Sequence, residues 1–129
     1  MSEFWFHENH TPGYEVKWRL KSIIHSEQTK YQMLAIVETV EWGRALILDE
    51  ALQTTEKDEF IYHEMIVHPV MQTHPEPKRV LIIGGGDGGA LREAAKYSEV
   101  EEIHLVEIDE RVIVNSQKYL PAIACAFDD

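Results

Sequence analysis

The alternation of apolar and polar positions changes period about halfway along this chain. From Glu15 to about Thr55 the pattern is that of strands. Val16-Lys17-Trp18-Arg19-Leu20-Lys21-Ser22-Ile23 alternates, as a strand with one buried face does. Tyr31-Gln32-Met33-Leu34-Ala35-Ile36-Val37-Glu38 follows, and Arg44-Ala45-Leu46-Ile47-Leu48-Asp49 comes after a turn at Glu41-Trp42-Gly43. Short strands joined by short polar links predict an antiparallel meander. A helix is predicted from near Thr55, capped by Thr54 or Thr55, with Asp58 and Glu59 in the first turn where the helix dipole favours acids. Phe60, Ile61, Met65 and Val67 are its expected apolar positions. Pro69 has no N–H to donate and should kink or end that helix near His68.

His74-Pro75-Glu76-Pro77 is a stiff connector, and a different regime follows it. Val80-Leu81-Ile82-Ile83 is a continuous apolar run, expected of a strand buried on both faces of a parallel sheet. Gly84-Gly85-Gly86-Asp87-Gly88-Gly89 comes next, then a helical stretch from about Ala90 to Tyr97. Ile103 to Ile108 reads as a second strand and Asp109 to Leu120 as a second helix, stopped by Pro121. This β-α-β-α order opens a doubly wound sheet. The expected class is therefore α+β: a small antiparallel β domain over 1–56, then an α/β domain over 57–129 with a leading helix over 57–73. A nucleotide-binding half normally has three parallel strands with both faces covered. Two strands leave an edge and apolar surface bare, which predicts either further sequence or an assembly that hides them.

Composition narrows the partners. The chain has 129 residues, and 44% hydrophobic content supports a real core rather than disorder. Twelve Lys+Arg against 23 Asp+Glu give 12 − 23 = −11, which argues against nucleic acid and anionic membranes and favours small cationic partners. Cys125 is a lone cysteine, so no internal disulfide is expected; it reads as a packing residue in a reducing compartment. Met1-Ser2-Glu3-Phe4-Trp5 lacks the basic and apolar regions of a signal peptide, and no stretch approaches the roughly 20 apolar residues of a membrane span. A cytoplasmic protein is expected.

The candidate chemistry lies mainly in the second half. Gly84, Gly86 and Gly89 satisfy G-x-G-x-x-G between a strand and a helix. The first permits the tight turn, the second lets backbone approach a ligand, and the third is expected to let helix pack on strand. Glu107, 18 residues after Gly89, is placed to accept ribose hydroxyls from a nucleoside. Asp87 separates the nucleotide classes. A carboxylate in the loop would repel the pyrophosphate of a dinucleotide such as NAD, so it favours a nucleoside carrying positive charge, as in S-adenosyl sulfonium compounds. Asp87 as a plain helix N-cap stays open. His63-Glu64 resembles the start of a zinc-binding helix motif, but the next histidine is His68, about 140° further round a helix, so no metal site is expected. His7, His10, His25, His74 and His104 show no partner pattern.

Together these segments resemble the spermidine synthase family, most closely its bacterial, putrescine-using branch. The resemblance rests on Gln28-Thr29-Lys30-Tyr31-Gln32, Leu48-Asp49, Leu52 to Phe60 and Tyr62-His63-Glu64-Met65. Gly84 to Gly89, Arg92-Glu93 and Val106-Glu107-Ile108-Asp109 continue it in order, so it covers essentially the whole chain. It implies a β domain used in oligomer contacts, and a Rossmann-like domain of the class I methyltransferase type. It also implies transfer of an aminopropyl group from decarboxylated S-adenosylmethionine, a co-substrate, to putrescine. The products are spermidine and 5′-methylthioadenosine, with no cofactor, in a homodimer or larger homo-oligomer. By resemblance Gln32, Gly84, Gly86 and Glu107 would contact the nucleoside, and Asp87 the aminopropyl ammonium. Tyr62, His63 and Gln53 would line the polyamine channel.

Two departures stand out. Glu50 follows Leu48-Asp49 where the family usually has glycine, which puts the turn geometry in question. By the resemblance, the Gly-Asp-Gly segment that holds adenine and the D-x-x-D segment, whose first Asp is the base, fall in the portion missing here; no residue present matches that base, and Asp128-Asp129 is not that motif. These 129 residues are therefore expected to be an N-terminal portion with little or no turnover. Two other readings stay open: an S-adenosylmethionine methyltransferase of related fold, and a non-catalytic assembly or polyamine-binding module.

Overall fold

The computed structural model describes residues 4–128, so Met1, Ser2, Glu3 and Asp129 lie outside the described residues. Two compact units divide between Lys57 and Asp58. The first is a five-stranded antiparallel meander in sequence order: β1 (Trp5–Thr11), β2 (Tyr14–Gln28), β3 (Met33–Thr39), β4 (Arg44–Leu48) and β5 (Ala51–Thr55). β2 serves two neighbours. Its first half pairs with β1 and its second with β3, and register shifts between Leu20/Ser22 and Ile23/His25 mark where the ladder is interrupted. Leu20, Val37, Ala45 and Ile47 form the core on one face, with Phe6, Trp18, Ala35 and Leu52 packed around them. Leu34, Ile36 and Leu46 are buried on the opposite side of the same strands.

The turn at 41–43 forms as its residues require: Gly43 has φ +76°, and the Thr39 hydroxyl donates to the Gly43 carbonyl while accepting from the Trp42 N–H. Two strands escape the periodicity. β1 lies ahead of the alternating segment, and β5 contains the threonines expected to cap a helix. Thr54 and Thr55 instead pair with Leu46 and Ala45 and are buried, because a β-branched side chain suits a packed sheet surface as well as it suits a cap.

The second unit contains α1 (Glu59–Thr73), β6 (Arg79–Ile83), α2 (Gly89–Ala94), β7 (Glu102–Val106), α3 (Glu110–Tyr119) and α4 (Pro121–Ala124), then a 3₁₀ turn over Cys125–Asp128. β6 and β7 pair in parallel, Val80 with Ile103 and Ile83 with Val106. Val67, Met71, Ala90 and Ala94 cover one face of this pair through Val80, Ile82 and Ile103. The other face is bare: Leu81 is 62% exposed, Ile83 83% and Val106 59%. The apolar run of β6 is thus buried on one face only, and the uncovered surface anticipated from the strand count is present.

Several local expectations are corrected. α1 begins at Glu59 after Asp58, without a side-chain cap, and passes through Pro69 to Thr73. The Thr73 hydroxyl donates to the carbonyls of Pro69 and Val70 in the last turn. Its buried stripe is Glu59, His63, Val67 and Met71, whereas Phe60, Ile61 and Met65 point outward. Charged partners turn this stripe inward at its start, as described below. α2 is shorter than expected. Pro121 does not merely stop α3 but occupies the first turn of α4, where a missing N–H costs nothing. Cys125 is exposed rather than packed. Asp49 and Glu50 both take positive φ, 45° and 65°, in the two-residue β4–β5 turn, so the turn keeps left-handed geometry with Glu50 in glycine's place.

Candidate functional site

In the second unit the glycine loop joins β6 to α2. Gly84, Gly85 and Gly88 have φ of +81°, +71° and +88°, so the loop folds in a conformation that side chains resist. Gly86 donates its N–H to Glu107 Oε2 at 3.0 Å, and a Cβ there would lie 2.8 Å from that same oxygen. Glu107 follows β7 directly, and its other oxygen accepts the Asp109 N–H at 3.0 Å. One carboxylate therefore ties the loop to the start of α3, where the Asp109 side chain accepts from the Arg111 N–H. Backbone N–H donors hold both Glu107 oxygens in place, and each keeps acceptor capacity for hydroxyl groups.

Asp87 Oδ1 accepts the Gly89 N–H at 2.7 Å, the local bond of a capping carboxylate, although Gly88 is the residue that precedes the helix. The same oxygen lies 3.3 Å from His63 Nε2. Among the described residues no donor reaches Oδ2. The third motif glycine does not serve strand packing here: a Cβ on Gly89 would fall within the His63 ring, so its absence lets α2 close on α1. Tyr62 stands edge-on to His63, with ring centres 5.3 Å apart, and is itself exposed.

His63 is buried between two carboxylates. Its Nδ1 lies 2.5 Å from Glu59 Oε2, one helical turn earlier, and its Nε2 faces Asp87. Burial alone would push the imidazole down, but Asp87 and then Glu59 outweigh it and hold the group above its ordinary value. Burial likewise pushes Asp87 up, and His63, the Gly89 N–H and Arg92 outweigh it, leaving the carboxyl below its ordinary value. Glu59 is gripped in turn by Arg92, Nη1 on Oε1 at 2.8 Å and Nη2 on Oε2 at 2.9 Å. Arg92 also binds Glu93 Oε1, while Glu93 Oε2 pairs with Lys96 and lies 3.1 Å from His68 Nε2; His68 Nδ1 reaches the Tyr97 hydroxyl at 2.7 Å. A chain of paired side chains thus runs Asp87, His63, Glu59, Arg92, Glu93, His68.

The sequence pattern brought out His63 and Asp87 separately but not Glu59 and Arg92 as their supports. Glu59 looked like a dipole residue, and its partner is 33 residues away. Glu64, His68 and Glu93 bring potential ligand atoms within 4.8 Å of one another, a grouping the His63–His68 spacing did not suggest. Arg92 and Lys96 already neutralise Glu93 there, so the cluster is an ion-pair network. Four of the histidines expected to lack partners stand close to acids, His7 with Glu15, His10 with Glu8, His25 with Glu27 and His104 with Glu102, and His74 accepts the Glu76 N–H.

Gln32 and Gln53 belong to the first unit. Gln32 lies in the Thr29–Gln32 turn before β3, its N–H donating to the Thr29 hydroxyl at 3.0 Å. Met33 next to it is locked on both sides by Asp49, the Met33 N–H donating to Asp49 Oδ1 and the Asp49 N–H to the Met33 carbonyl, each at 2.9 Å. Gln53 is exposed and is the extra residue of a bulge in β5, its amide donating to the Ala51 carbonyl.

A small β meander followed by a glycine-loop α/β start, with an acid at the end of the second parallel strand, is a mixed α+β architecture. Residues 59–129 match the model of the spermine/spermidine synthase domain, and residues 4–56 that of the spermidine synthase tetramerisation domain. The chain belongs to the spermidine synthase family. The polyamine aminopropyltransferase of Moorella thermoacetica is 52% identical over 129 residues, covering 100% of this chain and 46% of that protein. That of Thermoanaerobacter sp. is 54% identical over 127 residues, 98% of this chain and 46% of the relative. The crystal structure of spermidine synthase from Thermotoga maritima superposes with a TM-score of 0.95 at 45% identity, covering 98% of this chain and 45% of that one. A spermidine synthase solved with the transition state analogue AdoDATO matches with the same score and identity over 43% of its length. The chain spans a little under half the length of these relatives. No helix among the described residues is long and apolar enough to cross a membrane.

Proposed function

We propose that these residues form the glycine-loop half of an aminopropyltransferase site that takes decarboxylated S-adenosylmethionine and putrescine and gives spermidine and 5′-methylthioadenosine. Glu107 accepts the ribose hydroxyls, with Gly84 and Gly86 shaping the nucleoside's surroundings. Asp87 receives the ammonium of the aminopropyl group, and Tyr62 and His63 line the amine's path. In the reaction an unprotonated acceptor nitrogen attacks the carbon beside the sulfonium, a C–N bond forms as the C–S bond breaks, and the thioether leaves with the bonding pair. The new nitrogen loses its proton to a base. The rest of the rate comes from alignment.

The observation that carries this reading is Asp87. Its Oδ1 is fixed by the Gly89 N–H and faces His63 Nε2 at 3.3 Å, and its Oδ2 is turned to no donor among the described residues, in a loop where phosphate ligands need positive charge. The β unit serves subunit contacts, a role supported by its match to the tetramerisation domain and by exposed Phe4, Trp5 and Trp42. These 129 residues contain no D-x-x-D segment, so on their own they bind ligands without turning them over. Titration of spermidine into the chain and into Asp87→Asn tests the reading. Saturable binding weakened at least tenfold by the substitution is expected; equal affinity, or aminopropyl transfer at a normal rate by the chain alone, would contradict it.

A further inference from the structure

Glu59 and Arg92 have no place in the reading above, yet they are among the most tightly arranged charges in the molecule. Glu59 is 8% exposed, and a buried carboxylate is costly unless its bonds are satisfied. Both of its oxygens are satisfied by Arg92 in a two-pronged grip, and Oε2 also meets His63 Nδ1. Arg92 is also held by Nη1 to the Ala122 carbonyl at 3.1 Å, so the clamp is anchored in α4 as well as α2. The geometry leaves His63 little choice. With Nδ1 pointed at the Glu59 carboxyl that Arg92 grips, that nitrogen is the donor, and the ring is turned so that Nε2 faces Asp87.

We propose that Glu59, clamped by Arg92, is the positioning residue that fixes the ring and the charge of His63 and through it controls how strongly Asp87 attracts an ammonium group. The groups facing His63 are Glu59 on its own helix, Asp87 and the Gly89 backbone from the loop and α2, and the edge of Tyr62; Arg92 acts through Glu59. While His63 is an imidazolium it neutralises Asp87 on the Oδ1 side. A ligand cation arriving at Oδ2 then competes with it, and binding expels the ring proton. Affinity for a cation therefore rises with pH across the His63 midpoint, which Asp87 raises most and Glu59 raises further.

The inference rests on the amine-site reading for its consequence but not for its clamp, and the test separates the two. In the ¹⁵N-labelled chain, His63 should titrate above its ordinary 6.5. Glu59→Gln should move that midpoint down by at least one unit, and the inflection in spermidine affinity against pH should move down with it. Arg92→Lys keeps the charge but loses the fork, and should move the midpoint in the same direction by less. A midpoint near 6.5 in the unaltered chain, or one that stays within 0.3 units in both variants, would overturn the clamp. If Glu59→Gln does not fold, the unaltered chain and Arg92→Lys decide it. A chain whose midpoint shifts as expected but which binds no spermidine supports the clamp and overturns the amine-site reading instead.

Discussion

Arg92 and Glu59 meet through two parallel bonds of 2.8 and 2.9 Å between residues 33 positions apart, and this pair joins α2 to the first turn of α1. Arg92 also supports Glu93, whose side chain is 1% exposed. Removing one partner of such a network strands the others without their counter-charge. Arg92→Ala should cost about 3–5 kcal/mol. Urea unfolding measures this directly, and a loss under about 1 kcal/mol would mean the pair behaves like an exposed one.

Stability should depend on pH in a direction fixed by His63 and Asp87. The His63 value is raised in the folded state, so its contribution is complete below its ordinary 6.5 and is lost as pH rises through the folded value. The Asp87 value is lowered, so its contribution is present above its ordinary 3.8 and is lost as pH falls through the folded value. Unfolding free energy should therefore fall as pH rises above 6.5, and Asp87→Asn should flatten that fall. Denaturant melts at several pH values check both slopes.

Gly86→Ala places a methyl 2.8 Å from Glu107 Oε2 and 2.9 Å from Val112 Cγ1. Both neighbours are fixed, one by backbone N–H groups and the other by burial. The substitution should destabilise the chain by about 1–3 kcal/mol and weaken nucleoside binding by displacing the carboxylate. Thermal unfolding and calorimetry with 5′-methylthioadenosine measure the two effects.

Glu50→Gly should stabilise the chain. Glu50 holds φ 65°, which costs an L residue about 1–2 kcal/mol, whereas glycine's greater freedom in the unfolded chain costs about 0.4–1. The difference leaves a gain of roughly 0.5 kcal/mol, visible as a small rise in the urea midpoint.

Much of this architecture was legible in the chain. The parallel β-α-β-α order, the glycine loop and Glu107 follow from local spacing, and so do the central strands of the meander. What was not legible depended on partners distant in sequence. Thr54 and Thr55 suit a strand and a cap equally, and only pairing with β4 decides between them. The buried stripe of α1 opens with Glu59 and His63 instead of Phe60 and Ile61 because Arg92 and Asp87 wait on the inner side. Hydrophobic periodicity cannot see a charge satisfied from another element. Gly89 likewise matched the motif, but the neighbour it makes room for is an imidazole rather than a strand.

The glycine loop and Glu107 are proposed to hold a nucleoside. Calorimetric titration of 5′-methylthioadenosine into the chain and into Glu107→Gln tests it most directly. Saturable binding by the chain is expected, with at least tenfold weaker binding by the variant, a loss of about 1.4 kcal/mol or more. Equal affinity in the two proteins, or no heat from the chain itself, would contradict it.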